Sequence, residues 1–269
     1  MPELPEVETI KNELSSHVIE RLIIGVVVHD DRLIQPHSIG EFCQKLLGQR
    51  VTGLSRRGKY LFFHLSDGTV LIVHLRMTGS LVINSPDDER YIRAVFQFDN
   101  GEQLAFVDRR RLGVMWLAES EDEIARKLGD EPLTAGFTAE ALAKRLKGRQ
   151  APIKAVLLDQ TLVAGIGNMY ADEALFAAKI HPLKKAGDLS SSEIKNLHKA
   201  IVAVLKSAIE NKGASVDTYK RPGGEVGTAH NEFKVAHRKS EACRVCGAAI
   251  ERIPVRNRGS YFCPKCQRL

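Results

Sequence analysis

Between Leu22 and Leu117 the chain is a succession of short apolar runs with no helical pattern of any length between most of them: LIIGVVV, KYLFFHL, TVLIVHL, GSLVI, AVFQF, QLAFV and GVMWL. Each run is the length of a strand, is rich in β-branched and aromatic residues, and is closed by a turn signal. Asp67-Gly68 and Asn100-Gly101 are hairpin turns, because such loops need residues that tolerate positive φ. Many short strands without intervening helices imply an antiparallel sandwich or barrel. One short helix, Ile39 to Leu47, interrupts the series.

Helical periodicity brackets this β region. Before it, Val7, Ile10, Leu14 and Val18 form the apolar stripe of an amphipathic helix over Pro5 to Val18. After it, Ser120 with Glu123 reads as a capping box opening a short helix. Gly129-Asp130-Glu131-Pro132 then breaks the chain and marks a domain boundary. Helices are expected at Thr138 to Lys147, Pro152 to Gln160, Gly167 to Lys179 and Ser191 to Asn211, the last with its own Ser190/Glu193 box and Gly213 as its stop. Gln160 to Asn168 is a tight, glycine-containing turn between two of these helices. Such geometry often serves DNA binding, and a generic helical hairpin fits the same residues. The glycine-rich stretch from Gly213 to His230, centred on Arg221-Pro222-Gly223-Gly224, reads as a mobile loop.

The chain has 269 residues, 43% hydrophobic and 27% charged, which suffices for one large or two ordinary domains with a real core. No apolar run is long enough to span a bilayer, and the acidic, amphipathic N-terminus is no signal peptide, so a cytoplasmic protein is expected. Charge is uneven. From Lys234 to Leu269 nine Lys or Arg stand against Glu241 and Glu251, a surplus of seven, whereas the rest sums to about −1. A basic tail on a near-neutral body points to a polyanion, nucleic acid first.

Four of the five cysteines lie in that tail as Cys243-x2-Cys246-x16-Cys263-x2-Cys266. Two CxxC knuckles joined by a short hairpin, Ile250 to Phe262, place four thiolates around one zinc ion. The closed set leaves no open coordination position, so this zinc is structural. Disulfides are the competing reading and suit a secreted chain. Cys43, alone at a helical spacing, is a small core residue.

The N-terminus holds a different chemistry. If Met1 is removed, Pro2 begins the chain with a secondary amine. An α-amino group has a pKa near ~8, so a usable fraction is nucleophilic at neutral pH. Amines form Schiff bases with carbonyl carbons, and Glu3 lies next to it as a proton carrier. Helix-start grammar accounts for the same residues. Lys59 in Arg56-Arg57-Gly58-Lys59-Tyr60 and the cluster Asp108-Arg109-Arg110-Arg111 likewise read as basic turns or as solvated hairpin ends, and Met77 as a flexible apolar side chain exposed at a turn or as core filling.

Together these motifs resemble one family. PELPEVET at Pro2, RRGKYL, HLRMTG, DRRRLG, VAGIGNMYADEALF and a four-cysteine finger carrying Arg258 occur in the order seen in bacterial formamidopyrimidine-DNA glycosylases, enzymes that excise oxidised purines. The resemblance runs from Pro2 to Arg268. It implies a two-domain α+β fold: an N-terminal antiparallel β-sandwich with its N-terminal helix at 1–118, a linker at 119–135, a helix-two-turn-helix domain with a lesion-capping loop at 136–232, and a zinc-finger hairpin at 233–269. DNA would lie in a basic cleft between the domains.

The resemblance implies roles as well. Pro2 would attack C1′ of the damaged nucleotide, with Glu3 moving protons and Glu6 in support. Lys59 would contact the flanking phosphate and act in β-elimination, and Arg258 would grip the backbone and assist δ-elimination. Asn168 would bind phosphate, and Tyr91 and Arg149 would contact DNA. Met77, Arg110 and Leu112 would fill the gap left by the flipped-out base, which offsets part of the cost of unstacking. Arg110, a pure donor, would favour cytosine as the orphan base. Cys243, Cys246, Cys263 and Cys266 would bind one structural Zn2+. The partner would be double-stranded DNA with an oxidised base opposite cytosine, bound by a monomer. Leu112 stands where the family usually has phenylalanine, Tyr91 where histidine is common, and Val235-Ala236-His237-Arg238 where VYGR is usual. Two rivals are an endonuclease VIII type for oxidised pyrimidines, which usually begins PEGP where this chain has Leu4, and a non-enzymatic zinc-ribbon DNA binder.

Overall fold

The computed structural model describes residues 1–34, 36–85 and 89–269. The chain divides into two compact units. The first comprises Met1–Arg126 with Asn211–His230, and the second comprises Lys127–Glu210 with Asn231–Leu269. Among the described residues no helix is long and apolar enough to cross a membrane.

The first unit opens with α1 (Leu4–Val18) and continues through β1 (Ile23–Val28), α2 (Ile39–Leu46), β2 (Val51–Arg57), β3 (Tyr60–Leu65), β4 (Val70–His74), β5 (Gly79–Ile83), β6 (Ile92–Phe98), β7 (Gln103–Asp108), β8 (Val114–Ala118) and α3 (Asp122–Ala125). Two four-stranded sheets form, ordered β1-β6-β7-β5 and β2-β3-β4-β8, with every strand pairing antiparallel. Phe63, Leu71 and Val73 of one sheet and Phe96, Leu104 and Phe106 of the other share one apolar cluster with Val7, Ile10, Leu14 and Val18 of α1. The expected sandwich and its N-terminal helix are therefore present. At ~1.5–3 kcal/mol per fully buried aliphatic side chain, those four residues fix α1, and with it the amino end, firmly to the sheets.

Three sequence expectations need amendment. β2 is a strand although its VTGLSRR is polar. It is an edge strand, and its pairing with β3 (Leu54↔Phe63, Arg56↔Leu61) replaces an apolar pattern of its own. The Ser120/Glu123 box does not form as expected. Ser120 Oγ instead accepts the Asp122 N–H at 3.1 Å. Residues 211–230 are tied down within the first unit. Ala214 pairs with Thr228, Ile83 donates to the Pro222 carbonyl at 2.8 Å, and the Arg221 guanidinium grips Glu13 of α1 at 2.6–3.1 Å.

The second unit carries α4 (Ala139–Leu146), α5 (Ile153–Leu157), α6 (Asn168–Ala177), α7 (Ser191–Glu210) and a hairpin of β9 (Glu251–Val255) and β10 (Arg258–Phe262). The Ser190/Glu193 box is made, with Glu193 N–H to Ser190 Oγ at 3.2 Å and Ser190 N–H to Glu193 Oε2 at 2.8 Å. Every residue of α6 from Met169 to Phe176 is buried, as expected of a helix at the centre of a core.

Candidate functional site

The site in the first unit begins at the foot of α1. Pro2, Glu3 and Glu6 are all buried, while Met1 is 40% exposed. Glu3 and Glu6 form a reciprocal capping box, with the Glu3 N–H reaching Glu6 Oε2 at 2.7 Å. Glu6 Oε1 also accepts the Ala214 N–H at 2.8 Å. Gly213 makes this approach possible, since a Cβ there would lie 2.9 Å from the Glu6 side chain and its φ is +77°. Helix grammar and a candidate site thus use the same two carboxylates, and they fix the chain at Pro2 in a protein-lined position.

Lys59 is buried at the β2–β3 turn. Arg56 holds that turn, donating to Glu8 at 2.7 Å and to the Gly58 carbonyl at 2.9 Å. Burial opposes ionisation of Glu8, but Lys11 and Arg56 win and keep its carboxyl below the usual range. His74, beside this turn, is pushed down to about 3 by burial and by the charges of Arg76 and Lys59. It is therefore neutral, and its Nδ1 accepts the Arg76 N–H at 3.0 Å.

Met77, Arg110 and Leu112 are exposed on two loops, and Arg110 Nη1 touches Met77 Sδ at 3.6 Å. Asp108, itself 1% exposed, shapes this platform. Its carboxylate accepts the N–H groups of Arg110 at 3.0 Å, Leu112 at 2.8 Å and Gly113 at 2.7 Å, and it also binds the Thr78 hydroxyl. Gly113 is required here, because a Cβ would lie 2.3 Å from the Phe106 ring. In the sequence the arginines after Asp108 stand out as a basic cluster, whereas the aspartate that arranges them does not. The signal was its place at the head of a turn, where Asp side chains bind following N–H groups. Tyr91 packs against Val82, Ala105 and Val107, with the Arg109 guanidinium 4.9 Å from its ring centroid. Tyr91 thus supports an arginine by cation–π contact.

In the second unit Gln160 staples the turn before α6. Its Nε2 donates to the Leu158 and Ile166 carbonyls at 3.1 and 2.8 Å, and its Oε1 accepts the Gly165 N–H at 2.9 Å. Asn168 opens α6, and its Nδ2 donates to the Gly259 carbonyl at 3.0 Å. Its Oδ1 is buried with no hydrogen-bond partner among the described residues. Arg149 is exposed after α4, with its Nε donating to the Arg145 carbonyl at 2.6 Å. Arg258 is exposed at the start of β10, beyond a turn in which Arg256 and Asn257 have φ of +43° and +62°. The structure thus groups Asn168 with the strand that carries Arg258, and groups Pro2 with Glu3 and Glu6.

The four cysteines converge. Their Sγ atoms all lie within 4.8 Å of one another, with Cys246–Cys263 at 3.4 Å and Cys243–Cys266 at 4.0 Å. A tetrahedral zinc with Zn–S bonds of ~2.3 Å separates its sulfurs by about 3.8 Å, so the set fits the ion. The Ala248 N–H pulls Cys246 down to about 7, whereas burial and the neighbouring thiols push Cys266 up to about 12. Four thiolates need a cation to share this space. Cys43 lies apart, half-buried against the sandwich core.

Comparison with known proteins agrees with this geometry. Residues 1–115 match the formamidopyrimidine-DNA glycosylase N-terminal domain, residues 128–220 the formamidopyrimidine-DNA glycosylase H2TH domain, and residues 240–269 a zinc finger found in FPG and IleRS. A formamidopyrimidine-DNA glycosylase of Desulforamulus reducens is 42% identical over 275 residues, covering 100% of this chain and 99% of the relative. One from Chloroflexus aurantiacus is 43% identical over 271 residues, covering 99% and 98%. Among solved structures, a Lactococcus lactis FPG mutant in complex with Fapy-dG-containing DNA superposes with a TM-score of 0.93 at 36% identity over 100% of both chains. The Lactococcus lactis Fpg bound to abasic-site DNA gives 0.92 at 36% identity, covering 99% of this chain and 100% of that one.

Proposed function

This chain belongs to the formamidopyrimidine-DNA glycosylase family and is a DNA glycosylase of base excision repair; from that premise we propose that it removes oxidised purines, 8-oxoguanine and formamidopyrimidines, and then cleaves the strand as an AP lyase. The arrangement of Pro2 with Glu3 and Glu6 carries the reading. Once Met1 is removed, the Pro2 nitrogen attacks C1′ and the glycosidic bond breaks, with Glu3 moving the protons. The sugar ring then opens as the C1′–O4′ bond breaks, with a proton from Glu3 going to O4′, and the resulting iminium makes the C2′ proton acidic. β-Elimination expels the 3′ phosphate, and δ-elimination then expels the 5′ phosphate. Lys59 serves the first elimination and Arg258 the second.

Met77, Arg110 and Leu112 fill the gap left by the flipped-out base. The all-donor guanidinium of Arg110 favours cytosine opposite the lesion, because cytosine offers acceptors on its pairing edge. Arg149 and Asn168 bind phosphate from the second unit, and zinc holds the hairpin that carries Arg258. The protein acts as a cytoplasmic monomer on nucleoid DNA.

An incision assay tests this. Purified protein is incubated with duplexes carrying 8-oxoguanine opposite cytosine, an oxidised pyrimidine, a preformed abasic site or no lesion. Cleavage of the first and third with products phosphorylated at both ends is the expected result. Preference for the oxidised pyrimidine would make the chain endonuclease VIII-like in substrate, and binding without any cleavage would overturn the catalytic reading.

A further inference from the structure

The hairpin of β9 and β10 has only two strands, so the outer edge of β10 is left with unpaired backbone groups. Two buried charges meet that edge. Lys154 on α5 is 0% exposed and Asp172 on α6 is 1% exposed, with Nζ 2.7 Å from Oδ1. Burial of such a pair is unfavourable unless further hydrogen bonds support the charges, and here each charge bonds the same strand. Lys154 Nζ donates to the Gly259 carbonyl at 3.2 Å, and Asp172 Oδ2 accepts the Tyr261 N–H at 3.0 Å. Asn168 Nδ2 reaches the same Gly259 carbonyl at 3.0 Å. Residues 259 and 261 alternate along β10, so a one-residue slip would turn both groups away from their partners.

Arg258 is the residue immediately before this anchored position. The Arg252 guanidinium lies across Gly259, where a Cβ would approach within 2.3 Å. The backbone that presents Arg258 is therefore bonded by Lys154, Asn168 and Asp172, and residue 259 has no room for a side chain because Arg252 covers it.

We infer that Lys154 and Asp172 are positioning residues, which set Arg258 for its DNA phosphate by fixing the register of β10 without touching DNA themselves. The inference rests on the reading of Arg258 as a phosphate contact. It differs from a purely structural role, in which the pair would support folding and leave DNA contacts unchanged.

The test is a double-mutant cycle on the full-length, zinc-loaded protein. The pair is replaced by apolar residues, Lys154→Met with Asp172→Leu, so that neither charge is stranded, and zinc content and melting temperature are recorded. Binding to a duplex with a stable abasic-site analogue is then measured over a salt series. Loss of one phosphate contact lowers the slope of log K against log salt by about 0.9. R258A should show this decrease. The Lys154/Asp172 variant should show the same decrease while keeping its zinc, and R258A added to it should change nothing further. The ratio of δ- to β-elimination products should fall equally in both. A zinc-loaded pair variant with the wild-type slope, on which R258A still exerts its full effect, overturns the inference. If the pair variant loses its zinc, the isosteric D172N takes its place, and an unchanged product ratio there overturns it equally. If R258A itself leaves the slope unchanged, the reading of Arg258 falls, and the inference falls with it.

Discussion

Replacing Asp108 by alanine should damage the wedge platform more than any other single change within it. The carboxylate receives the N–H groups of Arg110, Leu112 and Gly113 at 2.7–3.0 Å together with the Thr78 hydroxyl. Arg110 and Leu112 are exposed, so water can take over their N–H groups. Gly113 and Thr78 are buried, so theirs stay unpaired. At ~1–3 kcal/mol for each buried donor left unsatisfied, the cost is ~2–6 kcal/mol, a large part of the ~5–15 kcal/mol that holds a domain together. Asn at this position should fare little better. It restores one acceptor oxygen, but its NH2 faces N–H donors. The assay is urea unfolding, paired with excision rates on 8-oxoguanine and on a preformed abasic site. Excision of the base should fall more than abasic-site cleavage if, as proposed, Met77, Arg110 and Leu112 fill the gap left by the flipped-out base. A D108A protein within ~0.5 kcal/mol of wild type, the usual range for an inert surface change, would refute the account of this loop.

Other expectations are simpler to state. Removing zinc with a chelator should expose the segment between Cys246 and Cys263 to proteolysis and weaken DNA binding, while the melting of the first unit stays unchanged. The Glu8 carboxyl lies below its usual range in the folded protein, so its ion pairs add stability above about pH 4.5, and this is lost as pH falls through the lowered folded value; E8Q should flatten that acid limb in a pH series of unfolding curves. E13A releases Arg221 from a partly exposed pair worth at most ~1 kcal/mol. It should barely move the melting temperature yet speed proteolytic nicking between residues 216 and 226.

What the sequence disclosed depended on whether the signal was local. The cysteine array was fully legible, because metal geometry dictates its spacing. Most strands were legible from apolar runs, and α1 from its stripe. β2 was not, because an edge strand with Arg56 and Arg57 draws its order from β3. The tethering of residues 211–230 was hidden for the same reason. Ala214–Glu6 and Arg221–Glu13 are both long-range contacts, and glycine-rich composition argues only for a loop. The site divides similarly. Met77, Arg110, Leu112 and Arg258 stand out through motifs, and all four face outward. Asp108, Gln160 and Asp172 instead bond backbone groups of the loop after β7, of the turn before α6 and of β10, and such partners become visible only once the chain is folded.

The central claim is that the Pro2 amine is the nucleophile. Borohydride trapping on a duplex with one 8-oxoguanine opposite cytosine, followed by mass spectrometry of the cross-linked peptide, tests it most directly. The account predicts a covalent adduct on a peptide beginning at Pro2, and none when Met1 is retained. An adduct on Lys59 or another lysine, or tight binding by Met1-free protein with no adduct at all, would contradict it.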